Sequence, residues 1–357
     1  MTGRGIDQAM ARPSRPGLYE PLVSDAREYL RLAEQANGNI PAPVDAAYVW
    51  GEALAELERL RPHARIVNLE TAVTTSEKAW PGKGIHYRMH PANLGCLTVA
   101  RIDACVLANN HVLDWGHAGL AETLRTLRDA GMRTAGAGAD LAQATAPAVL
   151  PLPGGARVLV FSWATSSSGV PEEWAARPDR AGIALLPDLS ETSARQVAAV
   201  VGRHRRAGDL VAVSIHWGGN WGLHVPQEHR AFAHRLIELG AADLLHGHSS
   251  HHPLPIEVHR DKLVLYGCGD LINDYEGIGT HGGLRSDVGC LYAASLAAGS
   301  GRLRRLEIVP MQLRRLRLQR ADAQAIRWLE EVFQCGSPQP ATRLQPRPEG
   351  GWSLRWG

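Results

Sequence analysis

Between residues 246 and 252 the chain reads His-Gly-His-Ser-Ser-His-His, four imidazoles in seven positions. Imidazole exchanges protons near neutral pH and, when neutral, binds divalent metals, so this stretch is a candidate metal or anion site. Polar groups recur at Asn68 and Glu70, at Asn109-Asn110-His111 with Asp114, and at His216-Trp217-Gly218-Gly219-Asn220. A further set is Gly267-Cys268-Gly269-Asp270, followed by Asn273-Asp274-Tyr275-Glu276. Nine of the sixteen histidines lie between 216 and 259, which concentrates this chemistry in one part of the chain. Imidazole, carboxylate and amide oxygen without a CxxC pair argue against Cys-rich zinc or iron–sulfur sites. They favour Zn²⁺, Mn²⁺ or Fe²⁺, one ion or two. A pair of such ions would clamp a phosphoryl or acyl oxygen and acidify a bridging water.

Each element also has a structural reading. A His-Trp after a strand can be packing, Asn109-Asn110-His111 can cap a helix through a side-chain oxygen, and Glu70 can be a solvated strand end. The four imidazoles of 246–252 are the hardest to explain this way.

What joins these residues is their place after apolar runs. Strands are expected at 65–67, 104–108, 156–162, 210–215, 242–245, 254–259 and 262–266, the last two as a hairpin around Arg260-Asp261. Helical spacing covers 23–36 (Ser24 as N-cap), 50–60, 117–131, 191–207 and 226–240. Strands alternating with helices predict an α/β layered domain with a largely parallel core sheet. In such sheets the carboxyl ends of the strands share one edge, where ligands bind. Five of these strands end in His, Asn, Asp or Glu, which predicts one site at that edge. Further on, 288–310 reads as two antiparallel strands, 321–334 as a helix, and 336–357 as a Pro/Gly-rich loose tail after a single domain over 1–335.

The 357 residues are 45% hydrophobic and 21% charged, which excludes a disordered or disulfide-scaffold chain. A net charge of +2 argues against general attraction to nucleic acid or membranes. Five scattered cysteines read as buried thiols in a reducing compartment. No apolar stretch reaches the ~18 residues of a spanning helix and no signal peptide is visible, so the expected location is cytoplasmic. Oligomeric state is not legible.

In order, Asn68-Leu69-Glu70, Ala108-Asn109-Asn110-His111 with Asp114 and Gly116, His216-Trp217-Gly218, Gly247-His248 to His251, Pro255-Ile256-Glu257 and Tyr266-Gly267-Cys268-Gly269-Asp270 resemble the capsule-synthesis CapA family, also called the poly-γ-glutamate biosynthesis protein family. The resemblance spans roughly residues 1–300. It implies a metallophosphoesterase-like layered sandwich of mixed β-sheets flanked by helices. It also implies Asn110 as a metal ligand and His111 as the proton donor to a leaving group, with Asp114 as its catalytic companion. Glu70 would stand for the usual bridging Asp, and His216, His248 and His251 would supply nitrogen ligands. Asn68, Arg88, Trp217 and Asp270 are the substrate-binding candidates, although surface pairing suits Arg88 equally well.

Two departures from the family pattern stand out. Ser249 and Ser250 replace the middle of a loop that is commonly Gly-His-His-Pro-His or Gly-Ala-His-Pro-His, leaving open which of His246, His248, His251 and His252 ligate. The family's opening strand, ending in a Gly-Asp metal ligand, would lie upstream of Met1, so a truncated first strand and an upstream extension are expected. Asp7 lies too far along to replace that ligand.

The resulting expectation is a metal-dependent hydrolase or transferase on an anionic substrate: poly-γ-glutamate, another capsule polymer, or a small phosphoester or amide. Metal-bound hydroxide would attack while His111 protonates the leaving group. The alternative is a non-catalytic accessory or assembly protein of capsule polymer synthesis or export that keeps the fold without metal.

Overall fold

A computed structural model describes residues 1–279, 282–335 and 342–356. Three short parallel strands, β1 (Ile66–Asn68), β2 (Ala104–Val106) and β3 (Arg133–Ala135), form a sheet in that order, with β1 at one edge. The next strands are β4 (Ala148–Pro151), β5 (Arg157–Thr165), β6 (Leu185–Leu186), β7 (Leu210–His216), β8 (Leu244–His248), β9 (Ile256–His259) and β10 (Lys262–Leu265). They build a seven-stranded sheet of order β6-β5-β7-β8-β10-β9, with β4 added antiparallel on β5. The β5–β7–β8–β10 pairings are parallel, and β9–β10 is the expected hairpin. The two sheets meet through Ala104, Val106 and Ala135 packed against Ala148, Leu150, Val160 and Ala212. Mixed sheets flanked by helices are thus the observed architecture.

The alternation in β7 decides what faces the site. Val211, Val213 and Ile215 join one core with Val197 and Val201 of α4 (Glu191–His204) and Phe232 and Leu236 of α5 (Gln227–Glu238). Because successive side chains point to opposite faces, Ser214 and His216 turn the other way. The earlier helices are α1 (Arg27–Asn37), α2 (Ala53–Leu60) and α3 (Gly116–Asp129). In α3, Leu120, Thr123 and Leu127 are buried at helical spacing.

Several element boundaries differ from expectation. α1 begins at Arg27 rather than after Ser24, because Leu18 N–H donates to Ser24 O and Ala26 N–H to Pro16 O, which ties up that stretch. α2 begins at Ala53, since Tyr48–Trp50 forms a 3₁₀ turn closed by Gly51 at φ +43°. β8 does not end at Leu245. Its ladder runs on through Ser214↔His246 and His216↔His248, so these two imidazoles lie on a strand.

The expected pair of antiparallel strands after 288 is present as β11 (Val288–Leu296) and β12 (Leu303–Arg314). The expected loose tail is not borne out in its described part. β13 (Arg317–Arg320) and β15 (Trp352–Arg355) both pair with β12, and β14 (Arg343–Pro346) pairs with β15. Trp352 and Leu354 bury their side chains in this sheet's core beside Leu329 of α6 (Ala323–Gln334). Residues 336–341 of that tail lie outside the described residues. Among the described residues no helix is long and apolar enough to cross a membrane.

The N-terminal segment is pinned to the body of the protein. Arg4 donates to both carboxylate oxygens of Asp274 at 2.8 and 2.7 Å and stacks on Tyr29, its charge centre 3.6 Å from the ring. Asp7 accepts from Ser14 N–H, His90 N–H and the Asn93 amide at 2.7–2.9 Å, a structural knot that uses up its carboxylate.

Candidate active site

The loop after β2 supplies the first part of the site. Asn109 caps the turn, its Oδ1 accepting from the N–H groups of His111 and Val112 at 3.1 and 3.0 Å. Its amide donates to Asn68 Oδ1 and Leu69 O, both at 3.0 Å. The capping role therefore falls to Asn109, and Asn110 is free to turn toward β7. There Asn110 Oδ1 lies 3.1 Å from His216 Nε2, and Glu70 Oε1 lies 3.8 Å from the same nitrogen. Glu70, His216 and Asn110 come from three strand ends and meet, as the strand-edge rule expects.

Glu70 is buried, and Asn68 donates to its Oε2 at 2.8 Å. Burial pushes its carboxyl up to about 7, opposed by the charge of His251 and reinforced by that of Asp270. Burial, then the charges of His111 and His251, lowers His216 far below the usual imidazole value, so its ring is neutral. A buried carboxylate, an amide oxygen and a neutral imidazole at these separations fit one hard-to-borderline divalent cation.

The expected ligands His248 and His251 sit elsewhere in this arrangement. His248 Nδ1 lies 2.6 Å from His216 Nδ1, and its Nε2 lies 2.7 Å from Ser214 Oγ. With both ring nitrogens engaged, His248 orients His216 from behind. His251 Nδ1 faces Asp270 Oδ2 at 3.0 Å, and its Nε2 lies 3.4 Å from the Tyr275 hydroxyl. Burial alone would lower its pKa, but Asp270 and Glu70 raise it above the ordinary imidazole value, which favours the protonated ring. His246 lies beside His248, with ring centroids 5.9 Å apart, and burial lowers it to about 4, while His252 is held by Pro253 O and faces Trp221.

His111 and Asp114 are together, with Nδ1 2.7 Å from Oδ2. Asp114 also accepts from Tyr87 N–H at 2.6 Å and from Lys83, whose ammonium lies 3.0 Å from His111 Nδ1. Burial would raise Asp114, but Lys83 and His111 hold its pKa below the ordinary range. Burial, then Lys83, lowers His111 to about 4, against the pull of Asp114. The resting His111 ring is neutral. At Nδ1 the ring meets both an acceptor, Asp114, and a donor, Lys83, and the tautomer that gives Nδ1–H to Asp114 leaves a lone pair on Nε2.

A cleft of about 330 Å³ opens over these groups, lined in part by Lys83, Asn110, His111, Asn220, His251 and Tyr275. The Lys83 ammonium, the His251 ring whose protonated form its acidic neighbours favour, and several neutral donors give it the character of an anion site. The four substrate-binding candidates are not among its lining residues. Asn68 and Asp270 position Glu70 and His251. Trp217 stacks on His229 with ring centroids 4.4 Å apart and donates to Tyr266 O, which is the packing reading. Arg88 bonds Ser76 O, Arg15 O and Glu77 through its two terminal nitrogens and stacks on Trp115, and its Nε is buried, so the guanidinium is committed away from the cleft.

Two glycines of the motifs are required sterically. Gly218 has φ +72° and a Cβ there would lie 2.8 Å from His229, while a Cβ on Gly247 would lie 2.1 Å from Tyr266 O. The sequence reading missed Lys83 and Ser214, and named Asn220 and Tyr275 only as members of polar strand-end segments, without a role. Lys83 alone carried a signal, being one of three lysines in a chain otherwise basic through arginine.

The family model described as bacterial capsule synthesis protein PGA_cap matches residues 1–275. A probable polyglutamine synthesis accessory protein of Mycobacterium tuberculosis is 46% identical over 350 residues, covering 98% of this chain and 92% of that protein. The PGA biosynthesis protein CapA of Bacillus subtilis is 26% identical over 208 residues, 58% of this chain and 52% of that protein. The capsule biosynthesis protein CapA of Bacillus anthracis is 23% identical over 192 residues, covering 54% and 45% respectively.

Proposed function

Because the chain belongs to the bacterial capsule synthesis protein family PGA_cap, we propose that it serves synthesis of a polyglutamate-like capsule polymer by binding that polycarboxylate in the cleft and cleaving or transferring it with the help of one divalent cation. The observation that carries this reading is the convergence of buried Glu70, Asn110 and His216 beside a cleft whose lining includes Lys83 and His251.

Glu70, Asn110 and His216 would hold the cation, which when bound polarises an acyl or phosphoryl oxygen and lowers the pKa of water. Lys83 and His251 hold the carboxylates of the substrate, and the Tyr275 hydroxyl closes the same wall. An anionic substrate offsets the Lys83 charge, which adds to burial in keeping His111 neutral. His111 can then take a proton at Nε2 and pass it to the leaving group, while Asp114 fixes the ring at Nδ1. The relatives named CapA support a capsule polymer as substrate.

A non-catalytic accessory role is the second reading. It draws on the Mycobacterium relative's name and on His248, whose engaged nitrogens leave room for one cation rather than a pair. Incubation of the purified chain with γ-linked glutamate oligomers and with phosphodiesters, each with Mn²⁺, separates these readings. Cleavage of the oligomers that is lost in His111→Ala supports the hydrolase. Oligomer binding without turnover of either substrate class supports the accessory protein.

A further inference from the structure

The Pro255-Ile256-Glu257 motif does not serve the cleft. Glu257 turns to α5, where its Oε1 lies 2.9 Å from His234 Nε2. The His234 ring lies flat against that of His259, with centroids 3.8 Å apart and planes 6° from parallel. Glu257 and His259 share one face of β9 by strand alternation, and His234 descends from the helix. His259 pairs with Lys262 at the start of β10, which runs parallel to β8. The cluster therefore extends toward the end of the sheet opposite His248 and the cleft.

We propose that His234, Glu257 and His259 form a second, Zn²⁺-type metal site, independent of the cleft. One donor atom from each of the three lies within 4.8 Å of the other two, and among the described residues no other trio of His, Cys, Asp and Glu does so. Two imidazoles and a carboxylate are a borderline donor set that suits Zn²⁺, whereas the oxygen-rich cleft set suits Mn²⁺ better.

Three further observations support it. Glu257 Oε2 accepts the Tyr266 hydroxyl at 2.6 Å, the outer hydrogen bond that holds a ligating carboxylate in place. His259 Nε2 is buried and has no hydrogen-bond partner among the described residues, a cost that a cation would remove. The nearest acid to that nitrogen is Glu238 Oε1 at 3.6 Å, which offers a fourth donor. A simple His234–Glu257 ion pair accounts for one of these contacts and leaves His259 Nε2 without a hydrogen-bond partner. For one ion to take both imidazoles, one ring turns out of the stack, since a metal lies near the plane of each ring it binds. The His234 side chain is 31% exposed, so an ion can reach the site. Once bound, it would tie α5 to the β9–β10 hairpin and stabilise both.

Equilibrium dialysis of the metal-stripped full chain against Zn²⁺, paired with thermal melts, tests the site. His259→Gln and His234→Gln are each expected to bind one Zn²⁺ equivalent fewer than the unaltered chain and to lose the Zn²⁺-dependent rise in melting temperature. Glu70→Gln, which changes the cleft, should keep that equivalent and that rise. His259 lies at a hairpin end, so if His234→Gln fails to fold, His259→Gln decides alone. Equal Zn²⁺ stoichiometry and equal affinity in His259→Gln and the unaltered chain would overturn the proposal.

Discussion

His216 Nε2 and Asn110 Oδ1 meet at 3.1 Å although 106 positions separate them in the chain. Behind that contact a relay runs from His216 Nδ1 to His248 Nδ1 and from His248 Nε2 to Ser214 Oγ. The relay allows two proton arrangements. In one, His216 Nε2–H donates to Asn110. In the other, His216 Nδ1–H donates to His248, whose Nε2–H donates to Ser214, and Nε2 of His216 is bare for a cation. The seryl oxygen is the acceptor that the cation-binding arrangement needs.

Ser214→Ala should therefore weaken cation binding at the cleft by about 10–100-fold, the usual range for an outer partner of a metal-bound imidazole. Mn²⁺ titration of the variant checks this, with His234→Gln as the comparison that should leave Mn²⁺ affinity unchanged. An unaltered Mn²⁺ affinity in Ser214→Ala would mean that the relay does not set the ring.

Lys83→Met should weaken binding of a γ-glutamate oligomer by roughly 10–100-fold, since a charge-assisted hydrogen bond contributes about 1.5–3 kcal/mol. Calorimetry of oligomer binding at low and high salt measures it. The unaltered chain should lose affinity as salt rises, and the variant should lose less.

His229, packed against Trp217, gives a pH dependence of stability. Burial lowers its pKa from 6.5 to about 4. The unfolded chain takes up the proton first as pH falls, so the stability from this group is intact above about 6.5 and erodes toward 4. The erosion is on the order of 3 kcal/mol. Urea unfolding at pH 7 and pH 4.5 should show a smaller loss in His229→Phe, which keeps a ring against Trp217, than in the unaltered chain. Equal losses would contradict this.

Arg4→Met should destabilise the protein by about 3–5 kcal/mol, because it strands the buried Asp274 carboxylate without its cation. The double variant Arg4→Met/Asp274→Asn should recover part of that loss in denaturant unfolding. A single variant as stable as the parent would show that the N-terminal segment is not anchored through this pair.

The alternation of strands and helices was legible because each parallel strand is a short apolar run followed by polar residues. Asn110, His216 and Glu70 could be found for the same reason: strand ends in such sheets share an edge. His248 was misplaced because Leu245 looked like the end of the apolar run, whereas the ladder to β7 continues through His246 and Gly247 to His248. His251 was expected as a ligand from the family resemblance, and nothing in the sequence signalled that Asp270, nineteen residues on, would engage its Nδ1 at 3.0 Å and favour its protonated form. Lys83 sits in irregular chain with no periodicity to place it. The strands beyond 342 were hidden by Pro and Gly on either side, and Trp352 finds its core only once β12 is present.

The most direct measurement is Mn²⁺ binding to the metal-stripped full chain and to His216→Ala, with thermal melts in chelator to confirm that both are folded. One Mn²⁺ equivalent on the unaltered chain that is absent from a folded His216→Ala is the expected result. Equal Mn²⁺ binding by the two would contradict a cation site built on Glu70, Asn110 and His216.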